Sequence, residues 1–396
     1  MTIFKHDITE FFNNLSNNIK EIFDDNSIVF DIETTGFSRK YSNIYLIGAI
    51  YKSSVNPTNI TTSNSNDSVS VTLIQFFCDS LSDEKECLTN FFDLIKSHSF
   101  SRKIKLFSFN GDSFDLPFIK QRAHEYFEDD YVNSIFEYAI DSCDIYKKIS
   151  KLKTILNLDN YKQKTIELFL NINRTDKYTG GELVDVYKSF LKYPDNYQEL
   201  IDILTQHNYD DVKYLLKIID ILAYKFILKG QYTLENVSQN TYFDMNNNQQ
   251  IELFFTLRNK YNIPTKINYR FHNIYFKFNY ETTIIRVPIF CGSLKNFFHD
   301  YNNYYYLVHE GYAIHKSLAT YLPTEAKTKA TARTAFQIKE GIFLPIFDNS
   351  FNIPFKKDYD SKESFFLADV SFFSNRTLLE KYIMHIFKSL CKELNL

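Results

Sequence analysis

The segment VFDIETTG, residues 29–36, constrains this chain more than any other. It places Asp31 and Glu33 two residues apart in an apolar run typical of a buried β-strand. Successive side chains of a strand point to opposite faces, so both carboxylates share one face. Two neighbouring anions repel each other and are costly to remove from water. A divalent metal ion is the usual compensating charge, so this segment predicts one wall of a metal site.

Composition limits the classes of protein that this chain can be. Its 396 residues, 44% of them hydrophobic, suffice for two domains with cores of their own. No apolar run reaches the roughly 18 residues of a membrane span, and the N-terminal sequence lacks a signal-peptide pattern, so we expect a cytoplasmic protein without a membrane partner. The five scattered cysteines include no CxxC pair, which argues against a zinc site. The net charge of −3 disfavours a tight, non-specific nucleic-acid binder, but not an enzyme that acts on strand ends.

The first 230 residues have the element order of an α/β domain. Apolar spacing and turn residues define the elements, and the polar stretch 53–69 is expected to be a hairpin loop. The predicted order is a helix within 1–26, strands at 27–33, 44–52 and 70–78, a helix at 83–97, strands at 104–109 and 136–143, and helices over 144–228. We therefore predict one α/β domain over residues 1–230.

The remainder of the chain has a different character. Residues 231–250 are rich in Asn and Gln and are predicted to be a linker, followed by a smaller β-rich (α+β) domain at 251–396 that closes with an amphipathic helix at about 375–391. Basic residues between positions 313 and 340 follow the aromatic run Tyr304–Tyr306. Two interpretations stay open for this stretch: a solvated β face with tyrosines in the core, or a surface that positions nucleic acid.

Two further motifs carry acids that fit with the strand pair. In FNGDSFD, residues 109–115, Asn110 and Gly111 form a turn and Asp115 begins a helix. In HNYDD, residues 207–211, His207 and Asp211 are one helical turn apart and share the apolar face of a helix. An ionised aspartate on such a face needs compensation. A metal held jointly with the strand carboxylates would provide it.

Taken in order, DxET with a following glycine, NxxxFD and HxxxD resemble the motifs of the DEDD exonuclease superfamily, in its subtype with HxxxD. The most similar pattern is that of the YprB-type RNase H-like branch, and the segment RTDKYTGGELVDVYKSFL is similar to that branch as well. The resemblance covers roughly residues 25–228 and implies an RNase H-like mixed sheet flanked by helices. It also implies that Asp31, Glu33, Asp115 and Asp211 bind metal, and that His207 is the general base.

The residue types suit the implied reaction, which is hydrolysis of phosphodiester bonds. That reaction needs an activated water and charge stabilisation on the attacking and leaving oxygens, which two divalent cations supply. Mg²⁺ and Mn²⁺ prefer oxygen ligands, and a histidine can take the proton from water. We therefore expect a metal-dependent 3′→5′ exonuclease that acts on single-stranded DNA or RNA ends. Thr34, Asn110 and Phe114 are expected to contact the terminal nucleotide.

Each motif alone has a simpler structural explanation, and only their combination favours a metal site. Asp112 and Asp210 lie outside the pattern and are expected to face solvent, whereas Asp144 is expected to cap a helix rather than to join the site. Two other functions compete with the exonuclease. One is a catalytically inactive nucleic-acid-binding or scaffold protein on the same fold, and the other is a structure-selective endonuclease. No pattern points to a protein partner or an oligomeric state.

Overall fold

The strand that carries Asp31 and Glu33 lies inside a six-stranded sheet in a computed structural model of the chain. The structure describes residues 1–53, 70–99, 102–174, 178–192, 197–243, 245–348 and 351–396. The predicted hairpin loop at 53–69 therefore falls almost wholly outside the described residues. The chain divides into two compact units, Met1–Ala223 and Tyr224–Leu396.

The sheet of the first unit is mixed. Its strands are β1 (Thr2–Asp7), β2 (Ser27–Thr34), β3 (Ile44–Ser53), β4 (Ser70–Phe77), β5 (Ile104–Ser108) and β6 (Ile140–Asp144). Their spatial order is β1-β4-β3-β2-β5-β6. The four strands from β1 to β2 pair antiparallel, whereas β2, β5 and β6 are parallel. This arrangement confirms the predicted mixed α/β class.

Helices flank this sheet. They are α1 (Thr9–Asn13), α2 (Asn17–Ile22), α3 (Glu84–His98), α4 (Asp115–His124), α5 (Asp129–Asn133), α6 (Ile145–Ser150), α7 (Lys153–Leu156), α8 (Gln163–Phe169), α9 (Gly180–Lys192) and α10 (Tyr197–Ile218). The next helix, α11 (Leu222–Leu228), begins in the first unit and ends in the second. The apolar residues of β2 are fully or almost fully buried, as a central strand covered on both faces requires. Phe30 of this strand packs against Phe91 of α3, with ring centroids 5.5 Å apart.

Two parts of the first unit differ from the prediction. The range 1–26 contains the expected helical structure as α1 and α2, but it begins with an edge strand at Thr2–Asp7 that was not predicted and whose alternating burial suits pairing with β4. The strand expected at 136–143 begins as a single π-helical stretch at Ser134–Ala139 and becomes extended only from Ile140.

The second unit is β-rich, as predicted. A seven-stranded sheet contains β7 (Tyr232–Phe243), β8 (Gln249–Asn259), β9 (Ile267–Phe271), β10 (Ile274–Phe278), β11 (Thr282–Phe297), β15 (Phe336–Ile346) and β16 (Ser364–Leu367). A three-stranded sheet contains β12 (Tyr304–Leu307), β13 (Tyr312–His315) and β14 (Lys327–Lys329). The helices are α12 (Lys316–Ala319), α13 (Val370–Ser374) and α14 (Arg376–Glu393), the last of which matches the predicted closing helix.

The predicted linker at 231–250 is instead most of a β-hairpin. Strand β7 pairs with β8 from Tyr232 opposite Asn259 to Phe243 opposite Gln249. Only Leu234 of β7 is buried, so the strand lacks the apolar alternation that would have revealed it. Among the described residues, no helix combines the length and apolar character that crossing a membrane requires.

Candidate metal-dependent active site

Strand β2 presents the first two acids of the site. Asp31 is half-buried and Glu33 is buried, and their spacing of two places them on the same face of the sheet. The register of β2 against β3 shifts between Glu33 and Thr34, the last residue of the strand. Thr34 donates its hydroxyl to the Gly36 carbonyl at 2.9 Å and so stabilises the turn.

Helix α10 brings the third motif to these acids. His207 Nε2 lies 3.1 Å from Asp211 Oδ2 and 3.7 Å from Glu33 Oε1. One ligand atom from each of Glu33, His207 and Asp211 falls within 4.8 Å of the other two. The predicted neighbours on one helical face therefore meet the strand carboxylate, as a shared cation would require.

The second motif is held by its backbone. Asn110 has a left-handed conformation, with φ of 66°, and a Cβ on Gly111 would lie only 2.2 Å from Ser108 Oγ. Asp144 accepts hydrogen bonds from the Asn110 and Asp112 amides, at 3.1 and 3.2 Å. This turn delivers Asp115, the first residue of α4, as a buried carboxyl group.

Asp144 caps a helix and, contrary to the expectation, also holds the turn of the site. Its carboxylate also accepts from the Lys147 amide at 3.1 Å and thus caps α6, as predicted. Of the two other nearby acids, only Asp210 contradicts its prediction. Asp112 is partly exposed, as expected, and accepts hydrogen bonds from Ser142 and Lys147. Asp210 is buried and accepts from Gln206, because α10 is enclosed on several sides by strands and helices.

The pKa values of three of the acids reflect how little positive charge surrounds them. Burial raises the pKa of Asp31 well above its usual value, and the charges of Asp211 and Asp115 raise it further. Burial also raises the pKa of Asp115 to about 7, with a further contribution from Asp144. Burial acts in the same direction on Asp211, but His207 and Arg174 outweigh it and lower the pKa of that carboxyl. The resistance of Asp31 and Asp115 to ionisation fits a site for divalent cations with oxygen ligands.

The three residues predicted to contact substrate differ in their surroundings. Asn110 lines an open cleft of about 500 Å³ together with Asp31. Phe114 is half-buried before α4 and contacts the rings of Phe37 and Phe118, with centroids 6.4 and 5.5 Å away. The third, Thr34, is buried and engaged in the turn after β2. Their contact with a nucleotide stays a prediction.

Two residues that the sequence did not reveal hold the acids. The Asn208 amide donates to Asp31 Oδ2 at 3.3 Å, and Gln75 in turn donates to Asn208 Oδ1 at 3.0 Å. Arg174 forms ion pairs with Asp211 and with the buried Glu167. Both Asn208 and Arg174 stand inside segments that the resemblance includes, but nothing in their local spacing indicates these partners.

The family comparison agrees with the fold. Residues 28–223 match the family model RNase_H_2, of the RNase_H superfamily. The match spans β2 to the end of the first unit and includes all five residues of the predicted site. No curated protein matches the chain.

Solved structures show a looser likeness. The zinc-bound complex of E. coli exonuclease I with single-stranded DNA is 11% identical, with 59% of this chain and 54% of that chain covered and a TM-score of 0.28. The complex of E. coli exonuclease I with a dT13 oligonucleotide is also 11% identical, with 59% and 55% covered and a TM-score of 0.28. The chain thus spans little more than half the length of these structures, and likeness at this level transfers no activity. Residues 28–223 thus match an RNase H-like family model, and they contain most of a mixed sheet flanked by helices.

Proposed function

We propose that this chain is a metal-dependent 3′→5′ exonuclease that hydrolyses phosphodiester bonds at single-stranded nucleic-acid ends. The main supporting observation is the cluster in which Glu33, His207 and Asp211 offer ligand atoms within 4.8 Å of one another. Asp31 and Asp115 add two carboxyl groups with raised pKa values that a bound cation would help to ionise. These five residues supply the donors and the base that the reaction needs.

The four acids have one shared role in this proposal. Asp31, Glu33, Asp115 and Asp211 would hold two divalent cations, Mg²⁺ or Mn²⁺, through carboxylate oxygens. When bound, such cations stabilise negative charge on the attacking and leaving oxygens of a phosphodiester. The protein keeps the four carboxylates on a rigid strand and two helices, so little reorganisation accompanies substrate binding.

His207 has the proton-transfer role. Its Nε2 faces Asp211 and Glu33 from a position on α10 where the side chain is only 6% exposed. The imidazole would take up the proton of the attacking water and then release it to solvent. The carboxylates around the ring stabilise the imidazolium that forms in the meantime.

Product analysis tests this proposal against its rivals. Matched single-stranded DNA and RNA oligonucleotides, labelled at the 3′ or the 5′ end, are incubated with the chain and Mg²⁺ or Mn²⁺. We expect mononucleotides from the 3′ end and a ladder of shortened 5′-labelled products. Internal fragments would instead indicate an endonuclease, and an intact oligonucleotide with a gel shift would indicate a binding protein.

Matched variants connect the activity to the site. Asp31→Asn and Asp211→Asn should abolish hydrolysis while the circular dichroism spectrum stays that of the wild type. Asp185→Asn is the control, because that carboxylate is 81% exposed and pairs only with Lys188 in the part of the chain described. Full activity of Asp211→Asn would overturn the assignment of the metal ligands.

A further inference from the structure

A cleft beside Asp31 is lined by aromatic residues that have no role in the proposed hydrolysis. It encloses about 500 Å³, and its lining includes Phe109, Tyr146 and Tyr161 together with Lys162. Both tyrosine side chains are partly exposed. Aromatic faces open to solvent next to a catalytic carboxylate can offer a stacking surface for a flat ligand. We call this space the tyrosine cleft.

Contacts behind the tyrosine cleft fix its rings. The Tyr161 hydroxyl donates to the Lys153 carbonyl at 2.8 Å and accepts from the Leu158 amide at 3.1 Å. The ring of Tyr146 meets Phe109 edge to face, with centroids 5.6 Å apart. Rings that are ordered before a ligand arrives lose little conformational entropy on binding.

Positive charge accompanies the rings. The Lys153 ammonium lies 5.1 Å from the Tyr161 centroid and 5.8 Å from that of Tyr146, so one cation adjoins both rings. Lys162 is exposed at the rim. Rings and lysines together match a nucleotide, whose base stacks while its phosphate pairs with ammonium groups.

We propose that the tyrosine cleft binds an unpaired nucleobase of the substrate strand by stacking against Tyr146 and Tyr161, with Lys153 and Lys162 facing the adjoining phosphates. The inference rests on the proposed function, because it identifies how that site selects its substrate. A base held in a duplex has its faces covered by its neighbours and cannot enter. The cleft therefore selects single-stranded ends over paired ones.

Abasic substitution provides the test. Oligonucleotides lacking the base at one of the last three 3′ positions are compared with the intact strand, in the wild type, Tyr146→Ala and Tyr161→Ala. Each variant should raise KM for the intact strand about tenfold to a hundredfold, the range of one stacked base. At one abasic position, the KM of the wild type should rise by the same factor. The KM of the variants should not rise further at that position, because the stacking contact is already absent. The proposal would be overturned if the effects of the tyrosine variant and the abasic position on KM multiplied at every position. It would also be overturned if neither variant changed KM for the intact strand.

Control variants separate folding from stacking. Tyr146→Phe keeps the ring and should retain wild-type KM, and Tyr138→Ala removes a tyrosine that is 73% exposed and outside the cleft lining, with no effect on KM. Fluorescence anisotropy of a labelled oligonucleotide gives the same comparison without turnover. Binding that depends on the tyrosines, without hydrolysis, would overturn the proposed exonuclease activity and support base stacking in the tyrosine cleft. Hydrolysis that neither tyrosine variant affects would support the exonuclease activity and overturn base stacking in the cleft. A wild type that neither binds nor cleaves any strand would overturn both.

Discussion

Asn208 lies directly over Gly48, and an added Cβ at Gly48 would be 2.1 Å from Asn208 Oδ1. Gly48 pairs in register with Asp31 on one side and with Gln75 on the other, so the three form a row across neighbouring strands. Asn208 bridges this row, because it donates to Asp31 and accepts from Gln75. The absent side chain of Gly48 thus makes room for the group that orients a proposed metal ligand.

Gly48→Ala should therefore damage both stability and activity. The methyl group would displace the Asn208 amide, which costs about 1–3 kcal/mol for an overpacked core. Asp31 would lose its donor, and we expect hydrolysis to fall roughly tenfold to a hundredfold through misplacement. Urea unfolding and steady-state rates measure the two effects. Gly181→Ala is the control, because no atom lies within 4 Å of its added Cβ, so it should lower neither stability nor activity.

The sequence revealed those parts of the site that depend on local periodicity. Asp31 and Glu33 follow the strand period of two, and His207 and Asp211 follow the helical turn, so the spacing alone placed each pair on one face. Gly48 and Asn208 lie far apart along the chain, and only the packing of α10 on the sheet brings them together. Local sequence patterns therefore do not predict the contact between these two residues.

The errors in the predicted fold have the same origin. The edge strand at Thr2–Asp7 is stabilised by pairing with the distant strand β4, and the hairpin strand Tyr232–Phe243 by pairing with the more apolar β8, rather than by a buried apolar face of its own. β propensity depends strongly on such neighbours. The central strand β2, buried on both faces, was located almost to the residue.

A buried ion pair that the sequence did not reveal holds α4 in place. Glu84 is fully buried and accepts two hydrogen bonds from Arg122 of α4, at 2.9 and 2.6 Å, and one from the Ile44 amide at 2.8 Å. The Tyr126 hydroxyl donates to the same carboxylate at 2.7 Å. Glu84→Gln should destabilise the fold by about 3–5 kcal/mol, because the Arg122 charge stays buried without its partner.

Chemical denaturation of Glu84→Gln measures this loss. An exposed ion pair provides the contrast: Asp185→Asn, which breaks the pair with Lys188, should leave the unfolding midpoint where it is. A Glu84→Gln midpoint equal to that of the wild type would show that the buried pair does not stabilise the fold.

The raised pKa of Asp115 predicts a pH dependence of stability in metal-free protein. The folded pKa is about 7, against an ordinary value of 3.8, so between these pH values the folded state binds more protons at this carboxyl than the unfolded state. The free energy of unfolding should therefore fall as pH rises from about 4 to about 7, and then level off. Bound Mg²⁺ or Mn²⁺ should remove the decline, because it stabilises the ionised carboxylate.

Asp115→Asn isolates this contribution from those of other acids. The variant cannot titrate at this position, so its stability at pH 7 should decline less, relative to pH 5, than that of the wild type. Urea denaturation in the presence of a chelator at several pH values provides the measurement. Parallel curves for the two proteins would contradict the raised pKa.

The contributions of Arg174 to activity and to stability can be separated by mutation. It forms ion pairs with Asp211 and with Glu167, and its side chain is only 6% exposed. Arg174→Met should lower activity about tenfold to a hundredfold, as loss of a partner that orients a metal ligand does. It should also destabilise the fold, because Glu167 becomes a buried charge without a cation. The double variant Glu167→Gln/Arg174→Met removes that charge, so we expect it to recover stability but not activity. Unfolding curves and Mn²⁺ binding followed by electron paramagnetic resonance distinguish the two effects, and recovery of full activity by the double variant would show that Arg174 supports only the fold.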